Sequence, residues 1–213
     1  MDETGGIAIQ DLLTNQKENA KMIIQLTLDN IIKRTRQAGE DWAVAHARRL
    51  IELARQIGAE LPYDRHVLEL AAYLHDWGAF PDYIRKDVEH ALRSRQVVEA
   101  EILPLLDLTP AQKTLLLDAI ELHDYRDPRP APSNEALLLR EADMLEFLGM
   151  IGMGREFARG PKNVETAYKR ILSRRHGIQG RFTLPRAREL AEVRLERMET
   201  SLQWLLEESF GIL

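Results

Sequence analysis

The chain has 213 residues, 45% apolar and 30% charged, with a net charge of −5; this is the balance of a folded soluble protein with room for one sizeable core. Cysteine is absent, which removes disulfides, thiolate catalysis and zinc–thiolate sites, and leaves imidazole and carboxylate to ligate any metal. The negative balance argues against broad affinity for nucleic acid, and no apolar run approaches the roughly 20 residues a membrane span needs. The opening MDETGGIAIQDLL has neither the basic region nor the long apolar region of a secretory signal, so a cytoplasmic protein is expected, without membrane or sequence-specific nucleic-acid partners.

In chain order, helix signals dominate. An irregular amphipathic helix is expected from about Glu18 to Gln37, ending near Gly39. The next, from about Asp41 to Gly58, carries His46, Leu50, Leu53 and Ile57 at the spacing of one buried face. Asp64 is placed to cap a helix running to Trp77, which Gly78 and Pro81 then stop. A helix from about Tyr83 to Leu103 follows. Thr109-Pro110-Ala111-Gln112 is a capping box with proline at the first helical position, opening a helix that reaches His123. The proline-rich stretch from Asp127 to Pro132 must be an extended loop. Ser133 caps a helix expected to run through Asp143 to about Ala158, where Gly160-Pro161 ends it. Helices at about Val164–Arg175 and Pro185–Glu208 complete an all-α chain. The division expected is an N-terminal helical segment (1–40), a metal-binding core (41–160) and C-terminal helices packing on that core (161–213).

The chemistry-bearing residues are few. His75 and Asp76 follow the apolar run Leu70-Ala71-Ala72-Tyr73-Leu74. Neighbours on a helix lie about 100° apart, so they can share one ion only where the helix is ending. His46 lies on the buried stripe of its own helix. Asp143 has Leu139, Phe147 and Met150 at i−4, i+4 and i+7, so it too should face inward. A buried carboxylate is costly unless partnered; Arg140 or an amide could serve singly, but a divalent cation satisfies all four residues at once. His90 and His123 fit the same interior. His66 is half a turn out of phase with His75, and His176 precedes Gly177 at a helix end, so both read as structural or surface residues. The basic residues between Arg155 and Arg197 read either as solvated helix faces or as positive potential near an anionic substrate. The Gly149, Gly152, Gly154 series follows no strand, so close helix packing explains it better than a phosphate loop.

The order His46, His75-Asp76, His90, His123, Asp143 resembles the HD-domain superfamily of metal-dependent phosphohydrolases. Three local contexts carry the likeness. Asp41-Trp42 precedes His46-Ala47-Arg48-Arg49, Leu70 to Asp76 resembles the defining motif, and Arg140-Glu141-Ala142-Asp143-Met144-Leu145-Glu146 resembles the last ligand segment. Leu148 to Arg155 and the Arg186–Glu208 helix are similar to a subgroup of small bacterial HD hydrolases, so the resemblance spans about residues 40 to 208. It implies a single HD-like helical bundle with a helical C-terminal extension. It also implies one or two divalent ions (Mn, Fe, Ni, Co, Zn or Mg), the first held by His46, His75, Asp76 and Asp143. His90 and His123 would hold a second ion or contact the phosphate, with Asp76 as the bridging carboxylate. Where many members carry a lysine soon after the paired motif, this chain reads Trp77-Gly78-Ala79-Phe80, and Lys86 is the nearest lysine.

The implied activity is hydrolysis of a nucleotide or related phosphate ester through a metal-activated water, with Asp76, His90 and His123 as catalytic groups. Arg49, Arg140 and Arg155 are the candidate phosphate holders, since guanidinium matches phosphate bidentately. Surface ion pairs are the competing reading for each. A di-iron oxygenase on the same ligands and a non-catalytic nucleotide- or metal-sensing module are the alternatives. A homodimer is compatible with any of them.

Overall fold

The computed structural model describes residues 25–159 and 163–213. Among these the secondary structure is helical, with eight α-helices and no strand. None is long and apolar enough to cross a membrane. The expected helix start at Glu18 and the Gly160-Pro161 stop lie outside the described residues.

Helix α1 (Leu28–Ile57) opens on a capping box between Thr27 and Asn30 and merges the first two expected helices across a kink at Glu40 (φ 59°, ψ −170°). The kink sits where the first helix was expected to end. A side chain at Gly39 would meet the Phe80 ring at 2.4 Å, so the chain passes that ring only without a Cβ. Helix α2 (Arg65–Leu74) is capped by Asp64, which accepts from the Val67 amide at 3.1 Å. It is followed by a single 3₁₀ turn at Trp77–Ala79.

Gly78 differs from expectation. It is not a left-handed helix stop. A Cβ there would lie 2.3 Å from the His90 carbonyl oxygen and 2.5 Å from the Ser94 amide, so the glycine lets α3 approach the 3₁₀ turn. Its own amide donates to Ser94 Oγ at 2.8 Å.

The helix expected from Tyr83 forms only in part. Residues 80–89 make a looped segment, with Tyr83 and Ile84 amides donating to the Phe80 carbonyl and Asp87 at φ 64°. Helix α3 begins at His90 and runs to Val97, continuing as a π turn (Val98–Ile102) and a 3₁₀ turn (Leu103–Leu105). The positive φ at Asp87 interrupts helical backbone that the composition alone allowed.

Helix α4 (Pro110–Glu121) shows the Thr109/Gln112 capping box, and α5 (Asn134–Glu146) is capped by Ser133. The expected run to Ala158 is broken between α5 and α6 (Gly149–Ala158), because Leu148 is extended and Gly149 takes φ 70°. Gly152 lets α6 fold back on the Phe147 backbone, where a Cβ would meet the carbonyl oxygen at 2.1 Å. Helices α7 (Val164–Ile178) and α8 (Pro185–Glu208) finish the fold. Buried Glu141 accepts from the Thr183 and Leu184 amides at 2.7 and 3.2 Å, capping α8 from α5.

Helix α1 packs on α2 and α5, and α4 packs on α2, α3 and α5. Leu50, Leu70, Leu74, Trp77, Leu116, Ile120, Leu139 and Leu145 are fully buried in this main core. Burying each such side chain stabilises the fold by about 1.5–3 kcal/mol. Met153, Ile171, Met198 and Leu202 form a separate cluster that ties α6 and α7 to α8.

Candidate metal centre

His46 occupies the α1 face that carries Leu50 and Leu53 into the core, and only 2% of it is exposed. His75 is the C-cap of α2, still in helical conformation, while Asp76 next to it has left the helix (φ −99°, ψ 6°). The two neighbours can therefore face the same point. Asp143 arrives from the last turn of α5. His46 Nε2 lies 3.3 Å from Asp143 Oδ1 and 3.9 Å from Asp76 Oδ2, and His75 Nε2 lies 3.4 Å from Asp76 Oδ2. The structure thus brings these four residues together, from three helices.

The tautomers are set from behind. His75 Nδ1 donates to the Ala72 carbonyl at 2.9 Å and His123 Nδ1 to the Ile120 carbonyl at 2.7 Å, so the Nε2 lone pairs face inward. His46 Nδ1 donates to Glu146 Oε2 at 3.3 Å. Glu146, which the sequence reading did not single out, is 1% exposed and is itself held by Arg49 through Nε at 2.9 Å. Its signal was its place three residues after Asp143, one turn along the same face. A carboxylate behind a histidine fixes the ring and raises its basicity as a metal ligand.

His90 opens α3 and His123 follows α4, with their Nε2 atoms 3.2 Å apart and 3.7 and 3.8 Å from Asp76 Oδ1. Asp76 therefore stands between the two groups, one oxygen toward each. Asp124, also unforeseen, lies 3.8 Å behind His90 Nδ1 and is clamped by Arg126 at 2.5 Å. No helical spacing announces it, because it follows the end of α4. His66 and His176 are exposed and outside this cluster.

Burial and charge pull these groups in opposite directions. Burial pushes the Asp76 carboxyl up, but the charge and hydrogen bond of His75, with His123 and His46, hold it well below the usual range. Asp143 is likewise held at about 2, against burial, by His46 and then His75. For His75 burial favours the neutral ring, yet Asp76 and Asp143 outweigh it and raise the imidazole above its ordinary value. His123 is pushed down to about 4 by burial, then by His75 and His90. Two carboxylates thus remain ionised in a buried site.

The Nε2 atoms of His46 and His75 are buried without a hydrogen-bond partner. Orphaned imidazole nitrogens facing two ionised carboxylates within 4 Å are the donor set that a divalent cation satisfies. His46, His75 and Asp143 offer ligand atoms within 4.8 Å of one another, as do His75, Asp76 and His123.

The site forms the floor of a cavity of about 810 Å³. Of the three arginines expected at phosphate, Arg155 lines this cavity. Arg49 is engaged with Glu146, and Arg140 donates to the Leu122 and Arg129 carbonyls at 2.6 and 2.9 Å, so it works as a backbone clamp. The basic stretch divides. Arg155, Arg159, Arg170 and Arg174 line the cavity, whereas Lys169, Arg175 and Arg186 pair with Glu165, Glu199 and Glu189 on the surface. Lys86 is exposed and does not line the cavity.

The family model of the HD domain matches residues 43–148, which contain every residue of this cluster. The chain belongs to the HD-domain superfamily. Solved structures share the HD fold over most of its length. An HD superfamily hydrolase from an uncultured Thermotogales bacterium is 24% identical, with a TM-score of 0.60 over 85% of this chain and 90% of that one. Bacillus subtilis YpgQ, crystallised with ADP, is 23% identical, with a TM-score of 0.65 over 88% and 100%. An HD-superfamily hydrolase from Bacillus thuringiensis is 22% identical, with a TM-score of 0.56 over 85% and 95%. No curated protein sequence matches.

Proposed function

We propose that this HD-domain protein is a metal-dependent phosphohydrolase acting on a nucleotide or related phosphate ester. The observation that carries the reading is the pair of orphaned nitrogens, His46 Nε2 and His75 Nε2, facing ionised Asp76 and Asp143 at the floor of an open cavity. His46, His75, Asp76 and Asp143 would hold the ion, which when bound supplies Lewis-acid polarisation of phosphoryl oxygen and a lowered pKa for water.

The chain's own residues supply the rest. Asp76 Oδ1 and the Nε2 atoms of His90 and His123 form a contiguous set for taking up and returning a proton. The Ile120 carbonyl keeps the His123 ring aimed at Asp76, and the Asp124 carboxylate lies 3.8 Å behind His90 Nδ1. Arg85, Arg159 and Arg170 line the cavity and make no ion pair among the described residues, so their charge is available to phosphate oxygens. The volume falls within the roughly 300–1,000 Å³ of small-molecule sites. Aromatic rings at Trp42, Phe147 and Tyr125 on its wall suit a nucleoside, and a structural relative binds ADP.

The test is release of phosphate or pyrophosphate from a nucleotide panel by metal-stripped protein resupplied with Mn, Fe, Co, Ni, Zn or Mg. Activity should return with at least one ion and fall at least a hundredfold in His75→Ala and Asp76→Ala. Equal behaviour of wild type and both variants with every nucleotide contradicts the proposal.

A further inference from the structure

The cavity wall formed by α6 and α7 carries a second set of unsatisfied groups, on other elements than the histidines. Glu156 is 2% exposed. One of its oxygens accepts from Arg174 Nε at 2.5 Å, while Oε2 is buried with no partner. The adjacent Arg155 likewise buries Nη1 without a partner. Both residues line the cavity that contains Asp76 and Asp143. Aromatic rings hold the cations in place: Arg155 lies 4.7 Å from the Phe147 ring centre and 5.5 Å from that of Trp42, and Arg174 lies 4.3 Å from Phe147. Trp42 is 45% exposed.

A buried donor and a buried acceptor left open are costly and call for a ligand. The chemistry of that ligand is constrained. A fully ionised phosphate brings no hydrogen-bond donor for Glu156 Oε2, and a second cation would be repelled by Arg155, Arg159 and Arg174. A neutral group with its own donor and acceptor satisfies both.

Resting on the phosphohydrolase reading above, we infer that Glu156, pinned by Arg174, is the specificity-determining residue for the nucleoside part of the substrate. Its Oε2 accepts a hydrogen bond from a base N–H or a sugar hydroxyl, Arg155 donates to a neighbouring acceptor, and Trp42 offers a ring face. The phosphates then point to the metal ligands and the unpaired arginines.

Calorimetric titration of metal-free protein, where turnover does not intervene, tests this with ATP, the unsubstituted-purine analogue of ATP, its 2′,3′-dideoxy analogue and inorganic tripolyphosphate. Wild type should bind ATP at least tenfold more tightly than tripolyphosphate. In Glu156→Gln the amide oxygen stays on Arg174 and its NH₂ faces the ligand donor, so that ratio should fall about ten- to hundredfold. The analogue on which wild type and variant become equal identifies the donor as base or sugar. Trp42→Leu, which removes the ring from beside Arg155 and His46 at a position outside the buried core, should lower the same ratio. The inference is overturned if ATP and tripolyphosphate bind wild type equally, or if neither variant changes the ratio. Phosphate release without nucleoside preference sinks this inference alone; nucleoside preference without phosphate release with any metal sinks the hydrolase reading and leaves Glu156 as a determinant of nucleotide binding only.

Discussion

The candidate ligands His46 and His75 are each aimed by a partner behind the ring, and such partners are where single substitutions should be most informative. Glu146→Gln removes the charge that orients His46 and that Arg49 neutralises. Metal affinity should fall about 10- to 100-fold, read by metal titration, with helical content unchanged. Acid should destabilise the metal-free protein through His123. Its folded-state pKa of about 4 lies below the unfolded 6.5, so its contribution is complete above pH 6.5 and is lost as pH falls toward 4. The loss is at most about 3 kcal/mol. Denaturation at a series of pH values should show this slope in wild type and a flatter one in His123→Gln. At this scale the convergence of His46, His75, Asp76 and Asp143 was legible because periodicity and helix ends put polar residues where only apolar ones belong. Glu146 and Asp124 were not, since each acts through another side chain. For Arg49 and Arg140 the sequence left phosphate and ion pairing open, because a guanidinium near a motif looks alike whether it meets phosphate or, as both do in the structure, a neighbouring carboxylate or carbonyl.

Capping boxes and buried stripes located most helices, Thr109–Gln112 and the His46–Ile57 face being the clearest. What the pattern hid was backbone geometry set by tertiary approach. Nothing local to Tyr83–Glu89 forbids a helix, and nothing in Glu146–Gly149 announces a break. The looped 80–89 segment and the positive φ at Gly149 come from how α3 and α6 must enter beside the site. Gly78 shows the same logic. Gly78→Ala would drive a methyl into the His90 carbonyl and the Ser94 amide, displacing the start of α3 and with it His90. We expect a loss of about 1–3 kcal/mol in denaturant unfolding together with reduced activity at unchanged metal content. A stability loss with full activity would show that the α3 start does not position His90.

On the scale of the whole molecule, two clusters divide the work. The main core fixes the helices that carry the candidate metal ligands, while the Met153–Ile171–Met198–Leu202 cluster holds α6 and α7, which bring arginines and Glu156 to the cavity wall. Ile171→Ala should therefore cost about 2–5 kcal/mol and weaken nucleotide binding more than metal binding, as calorimetry would show. The account as a whole stands on one cage. Crystals soaked with Mn and measured at its absorption edge should show an anomalous peak about 2.0–2.2 Å from His46 Nε2, His75 Nε2 and one oxygen each of Asp76 and Asp143. A peak only at Glu89, His90 and Asp124, whose ligand atoms also lie within 4.8 Å of one another, or no peak at all, would contradict it.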